Sequence, residues 1–147
     1  MRKMWRALFT TAALTFMLCL TGLILSGTAF ADRCVDNGDG TVTDNGTGLM
    51  WQKATAGNMN WHQAMRYASG LSLGGHSGWR LPNRDELSVL FHLPCKDMME
   101  VKLAYYWSST THALNTYGAW RVNFNVGLVN YGSKSGSYYV RAVRSAQ

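Results

Sequence analysis

The chain has 147 residues, with 14 lysines and arginines against 8 acids, which gives a formal charge of +6 and a pI near 9.5. A chain of this length has room for one domain, which excludes large multidomain enzymes and long repeat arrays. Charged residues make up 15% and apolar residues 47%, so the composition also excludes an intrinsically disordered chain. A pI this high is typical of proteins that bind nucleic acid or another polyanion. The position of the charges decides between these partners.

The first 31 residues have the pattern of a secretory signal peptide. Three basic residues within the first six positions precede an apolar, uncharged run over residues 7–25. Ala29 and Ala31 then satisfy the small-residue rule of signal peptidase, so we expect cleavage after Ala31. An uncleaved anchor is the alternative, because 19 uncharged residues are just long enough to span a bilayer. We expect export to the periplasm, the cell surface or the medium, which disfavours nucleic acid as a partner.

The remaining charges are unevenly distributed over the expected mature domain, residues 32–147. Residues 32–100 carry six cations and all eight acids, whereas residues 101–147 carry five cations and no acid. The C-terminal part of the domain is therefore the basic part.

Two cysteines, Cys34 and Cys95, remain after removal of the signal peptide. Two cysteines in an oxidising compartment more often pair than not, so we expect an internal disulfide. Two free thiols or an intermolecular bridge are the alternatives.

Turn and capping residues predict the first half of the domain. The clusters at residues 36–40 and 44–48 contain Asp-Gly and Asn-Gly steps, which favour a β-hairpin around Thr41-Val42-Thr43. The first cluster also resembles a calcium loop, but it lacks the ligand spacing of an EF-hand, so we expect no metal. Asn60 with Gln63, and Asn83 with Glu86, are capping pairs that predict two short helices, the second ending near Pro94.

The second half is predicted to be a β-meander. Residues 105–110 are rich in strand-forming residues, and residues 119–126 alternate, with Trp120, Val122, Phe124 and Val126 on one side. Gly127 predicts a turn, residues 128–131 a returning strand, and residues 138–143 a single last strand. The order of a hairpin, two helices and a meander predicts an α+β domain.

Five motifs in this order resemble one bacterial family. They are residues 37–45, residues 47–52, residues 78–83, residues 106–109 and residues 139–144. Together they are similar to the Legionella collagen-like protein C-terminal domain family, and the resemblance covers residues 37–144. It implies a C-type-lectin-like fold, bacterial export and, from the family's named member, trimers that bind sulfated glycosaminoglycans.

The chain departs from this family at two positions. Members often carry cysteines where this chain has Ala68 and Ala142, which is the pattern expected if one disulfide is lost as a pair. The collagen-like stalk of the named member is also absent, which weakens the transfer of the trimer to this chain.

The titratable residues do not predict an enzyme. The four histidines, His62, His76, His92 and His112, lack the spacing of a zinc site, and the serines lack a nucleophile elbow. Asp85 and Glu86 fit the first turn of a helix better than acid–base catalysis. We therefore expect no catalytic residues, no metal and no cofactor.

The C-terminal part has the composition of a recognition surface, with tyrosine, serine, glycine and asparagine. We predict an adhesin-like module that binds acidic or sulfated polysaccharide. The alternatives are an assembly module of the envelope or of an extracellular fibre, and an enzyme of the related fold. Arg141 and Arg144 have a further alternative, ion pairs with acids of the N-terminal part such as Asp44 or Asp85. The predicted ligand-binding residues are Arg121, Asn123, Asn125, Tyr131, Lys134, Tyr138 and Arg141.

Overall fold

The computed structural model describes residues 33–147, so the predicted signal peptide lies outside the described residues. Two α-helices, a short 3-10 helix and nine strands occur in this part of the chain, which confirms the α+β class. The helices are α1 (Trp61–Gly70), α2 (Arg84–His92) and the 3-10 helix Pro94–Met98. The strands are β1 (Cys34–Asp36), β2 (Thr41–Asp44), β3 (Leu49–Gln52), β4 (Ala56–Met59), β5 (Tyr105–Thr111), β6 (Gly118–Asn123), β7 (Val129–Ser133), β8 (Tyr138–Val140) and β9 (Val143–Ser145). No helix within residues 33–147 combines the length and apolar character needed to cross a bilayer.

The predicted hairpin is part of a four-stranded antiparallel sheet with the order β1-β2-β3-β9. Strands β2 and β3 pair from Thr41 opposite Gln52 to Asp44 opposite Leu49. Gly48 ends the connecting turn with a φ of 69°, a conformation that glycine adopts at little cost. The turn residues recognised in the sequence therefore set this register.

The second sheet has five strands in the order β4-β8-β5-β6-β7. Strands β5, β6 and β7 form the predicted antiparallel meander, but β6 already ends at Asn123, so Val126 lies in the turn and is exposed. The predicted single strand over residues 138–143 is wrong. The chain leaves the five-stranded sheet after Val140 and enters the four-stranded sheet at Val143, and β8 pairs with β5 in parallel.

Both predicted helix starts are confirmed. The Asn60 side chain accepts a hydrogen bond from the Gln63 amide at 2.9 Å, and the Gln63 side chain accepts one from the Asn60 amide at 3.0 Å. Asn83 and Glu86 form the same reciprocal capping box at the start of α2. These caps satisfy N–H groups that have no partner within the helix.

The two helices cover opposite faces of the five-stranded sheet. Tyr106 of β5 belongs to a core cluster with Leu87 and Leu90 of α2, while the adjacent Trp107 belongs to a second cluster with Ala64 and Ala68 of α1. Neighbouring residues of a strand point to opposite faces, so this alternation separates the two clusters. Helix α1 covers only part of the sheet face that carries Trp107. The rest of that face is open to solvent at Arg121 and Asn123, which are half-buried.

The expected disulfide joins Cys34 of β1 to Cys95 of the 3-10 helix, and both residues are buried. The covalent bond therefore ties the start of the domain to the segment between α2 and β5. Ala68 and Ala142, where family members often carry cysteine, are both fully buried in the cluster that contains Trp107.

Candidate binding surface

Arg121 lies at the centre of a polar and aromatic cluster on the solvent-facing side of the five-stranded sheet. Its guanidinium carbon is 4.0 Å from the ring centre of Tyr105 and 4.3 Å from that of Tyr138. Its Nε donates to Asn130 Oδ1 at 2.9 Å, and Asn130 Nδ2 donates to the Tyr105 hydroxyl at 3.1 Å. Cation–π attraction and one hydrogen bond thus fix the position of the charge.

Glycine at position 132 gives the Arg121 side chain its space. A Cβ atom on Gly132 would approach the guanidinium carbon to 2.9 Å, which is too close for two carbon atoms. The cluster therefore extends over four adjacent strands, because Tyr138 comes from β8, Tyr105 from β5, Arg121 from β6, and Gly132 and Asn130 from β7. Each strand contributes one or two residues.

The two terminal nitrogens of Arg121 have no acidic or hydrogen-bonding partner among residues 33–147. A guanidinium carries five N–H donors, of which the contact with Asn130 uses one. The half-buried Arg121 side chain therefore keeps donors that suit the paired oxygens of a carboxylate or a sulfate.

Lys134 provides a second cation next to this cluster. Its Nζ lies 4.2 Å from the ring centre of Trp61, the first residue of α1, and its backbone carbonyl accepts the Trp61 amide at 3.1 Å. Lys134 directly follows β7, whose Gly132 lies against the Arg121 guanidinium. We call the residues Trp61, Tyr105, Arg121, Asn130, Lys134 and Tyr138 the basic tyrosine surface.

The two cations of this surface are among six in the described domain that lack an acidic partner, the others being Arg66, Lys96, Arg141 and Arg144. Arg121 and Lys134 form no ion pair with any acid in residues 33–147. Five other cations do so, in the pairs Arg33–Asp44, Lys53–Asp36, Arg80–Glu86, Arg84–Asp85 and Lys102–Glu100. The charge of the basic tyrosine surface is therefore not neutralised by the fold.

Arg141 is the clearest correction to the predicted ligand-binding residues. Its side chain is 1% exposed and donates to the backbone carbonyls of Gln52, Lys53 and Glu100 and to the Thr55 hydroxyl. Burial lowers the pKa of this guanidinium from its usual value, although the nearby Tyr106 opposes the shift. Arg141 thus joins chain segments inside the protein, and the predicted ion pairs with Asp44 or Asp85 do not form.

The other predicted residues are divided between two faces of the sheet. Tyr138 belongs to the basic tyrosine surface, whereas Tyr131 lies on the opposite face, where its ring is 4.0 Å from His112 and 5.9 Å from Trp120. Asn123 shares the face of Arg121, but its side chain accepts the Asn125 amide at 2.8 Å and stabilises the turn after β6. Asn125 itself is exposed in that turn.

Three members of the surface, Trp61, Tyr105 and Asn130, were not predicted from the sequence as ligand-binding residues. Asn130 was detectable, because it is paired with Arg121 in the predicted hairpin of β6 and β7. Tyr105 and Tyr138 meet because β5 lies between β8 and β6. No sequence pattern indicates this parallel pairing of distant segments.

A separate groove of about 360 Å³ lies between the turn after β2 and helix α2. Its acidic residues have structural partners, since Glu86 caps the helix and pairs with Arg80, and Asp85 pairs with Arg84. Among the described residues, one group of three potential metal ligands occurs, Cys34, Asp44 and Cys95. Because both sulfurs are joined in the disulfide, they are not thiolate ligands.

These features describe an α+β domain with an open, positively charged sheet face. The model of the Lcl C-terminal domain matches residues 40–144, which is most of the chain. The protein therefore belongs to the Lcl C-terminal domain family, as the motifs predicted. Membership in this family suggests a non-catalytic, extracellular domain. A comparison with curated proteins finds no match.

Proposed function

We propose that this protein is an exported, non-catalytic binding module that recognises acidic or sulfated polysaccharide, in the manner of an adhesin. The observation that carries the proposal is the Arg121 guanidinium, held over Tyr105 and Tyr138 with its terminal nitrogens unpaired. Family membership and the predicted signal peptide support a location outside the cytoplasm.

The arrangement suits a sugar polymer that carries anionic groups. Aromatic rings contact the apolar faces of sugar rings, and a fixed guanidinium binds carboxylate or sulfate through parallel hydrogen bonds. Because stacking on two rings and the bond to Asn130 restrict the Arg121 side chain in advance, less conformational entropy is lost on binding. Lys134 adds a second point of attraction for the same polyanion.

The test is binding to a heparin column at two salt concentrations, with the double variant Arg121→Ala and Lys134→Ala. We expect retention by the original protein that weakens as salt rises, and loss of most of that retention in the variant. The matched control is Lys53→Ala with Lys102→Ala, which removes two exposed cations that are already paired with acids. Unchanged retention in the first variant, or equal loss in both, would contradict the proposal.

An assembly role is the second candidate function, and two exposed apolar residues in one loop favour it. Leu114 and Tyr117, in the loop between β5 and β6, are 95% and 85% exposed. Such a patch is suited to contact with protein. Binding to a partner that persists at high salt, and is lost in Tyr117→Ala, would favour assembly over polysaccharide recognition.

A further inference from the structure

The outer edge of β7 differs from the other sheet edges of the described domain. An edge strand presents unpaired backbone groups, and natural proteins protect such edges with charges, bulges, short strands or covering segments. The outer edge of β9 is covered, because Val143 and Arg80 exchange two backbone hydrogen bonds of 2.9 Å. Strand β1 has only three residues and is tied to the 3-10 helix by the disulfide, and β4 has a register shift.

Strand β7 has none of these protections. Its sequence, Val-Asn-Tyr-Gly-Ser, contains no charge and no proline, and its pairing with β6 is regular over all five residues. Hydrogen bonds from Lys134 N to Tyr117 O and from Asn123 N to Leu128 O show which residues of β7 direct their backbone groups towards β6. Every second residue of an antiparallel strand directs its backbone groups away from its partner, and here these are Val129, Tyr131 and Ser133.

The outward groups are partly used. The Ser133 carbonyl accepts the Gly136 amide at 2.9 Å, whereas the outward N–H and C=O of Val129 and Tyr131 have no partner among the described residues. The Tyr131 side chain beside them is 46% exposed. Val129 and Tyr131 therefore offer a short segment of two donors and two acceptors centred on Asn130, and the Ser133 amide lies at its end.

We infer that β7 pairs with β7 of a second copy of this chain, around a two-fold axis through Asn130. An antiparallel pair with this axis places Val129 of one copy opposite Tyr131 of the other, so that the outward N–H and C=O groups of both residues are bonded in each copy. On one face of the joined sheet, two apolar contacts form between Val129 and Tyr131. Because β7 carries no charge, no like charges meet at the axis.

The pairing also brings together the basic tyrosine surfaces of the two copies, a consequence that rests on the proposed function. A two-fold axis perpendicular to the sheet keeps both Arg121 residues on the same face. Three strand spacings separate them, which is ~14 Å. A polyanion could then contact both Arg121 residues at once, and the linkage of the two sites would raise its apparent affinity.

The experiment measures the mass of the purified protein by light scattering and sedimentation, without any polysaccharide, from about 1 μM to 1 mM. We expect a dimer that dissociates on dilution and is weakened at least tenfold by Tyr131→Lys, which places a charge at the edge. Tyr117→Lys is the matched control, because it makes the same change at an exposed tyrosine outside β7 and should leave the dimer intact.

A cysteine on the axis gives an independent measurement. In this pairing the two Asn130 Cα atoms are about 4.5 Å apart, within reach of a disulfide. With oxidised glutathione as the oxidant, Asn130→Cys should form a covalent dimer faster than Asn125→Cys in the exposed turn. A monomer at all concentrations, a trimer, a dimer insensitive to Tyr131→Lys or equally weakened by Tyr117→Lys, or no preferential cross-linking of Asn130→Cys would overturn the inference. Because no polysaccharide is present, these outcomes are independent of the heparin test.

Discussion

Arg141 and Arg121 are two arginines of the basic C-terminal part, and neither has an acidic partner in the described domain. Arg141 is buried and donates to three backbone carbonyls and a hydroxyl, whereas Arg121 is half-buried and contacts two rings and one amide. The surroundings therefore decide what each cation does. Arg141 has its donors directed into the protein, and Arg121 keeps donors for solvent or a ligand.

The largest expected effect is on stability, from Arg141→Met. Methionine retains much of the apolar volume but removes four hydrogen bonds from a charged donor. The buried Gln52 carbonyl is then left without a donor, whereas the carbonyls of Lys53 and Glu100 each keep one other hydrogen bond. We expect the free energy of unfolding, measured in urea, to fall by about 3–5 kcal/mol. Arg144→Met is the control, because that half-buried arginine donates one hydrogen bond, to Ser145. A fall below about 1 kcal/mol for Arg141→Met would show that these bonds are replaced by others.

The Cys34–Cys95 disulfide also joins distant segments of the chain inside the protein. We expect its loss to have the next largest effect on the free energy of unfolding. It closes a loop with a sequence separation of 61 residues, so removing it lets the unfolded chain gain entropy. We expect Cys34→Ala with Cys95→Ala to lower the free energy of unfolding by roughly 3–4 kcal/mol. A reducing agent should lower the melting temperature of the original protein and leave that of the double variant unchanged.

The smallest expected effect on stability is that of Arg121→Ala. The cation–π contacts of a partly exposed arginine contribute about 1 kcal/mol, so urea denaturation should change by about that amount. Arg121→Lys separates charge from shape, because lysine keeps the cation but not the planar guanidinium. If Arg121→Ala destabilised the protein as much as Arg141→Met, Arg121 would be a structural residue and the comparison would fail.

Local signals in the sequence were sufficient for the hairpin and the helices. Gly48 adopts a positive φ in the turn between β2 and β3, and Asn60 and Asn83 cap the helices, because each effect acts within a few residues of the chain. Strand β4 was missed, since its residues Ala-Gly-Asn-Met have low strand propensity. The division of the last strand was also missed, because Val140 to Val143 is buried throughout and contains no glycine or proline.

The binding surface was predictable only in part, because local patterns do not show which distant segments come together. The alternation of apolar and polar residues in β6 identified Arg121 as a solvent-facing residue. This inference does not depend on which strands lie beside β6. Arg141 was assigned wrongly, because its acceptors, in residues 52–55 and at Glu100, are 41 to 89 positions away in sequence. Tyr131 was placed with Arg121 on composition, although strand pairing puts the two side chains on opposite faces.

The order β1-β2-β3-β9 has a mechanical consequence. The first and last strands of the described domain belong to the same sheet, and the basic tyrosine surface belongs to the other. A pulling force between a tethered residue 33 and a ligand on Arg121 therefore enters through β1, and the disulfide passes part of it directly to Cys95. From Cys95 the backbone leads to β5 of the second sheet, so this part of the load bypasses β2, β3 and β9.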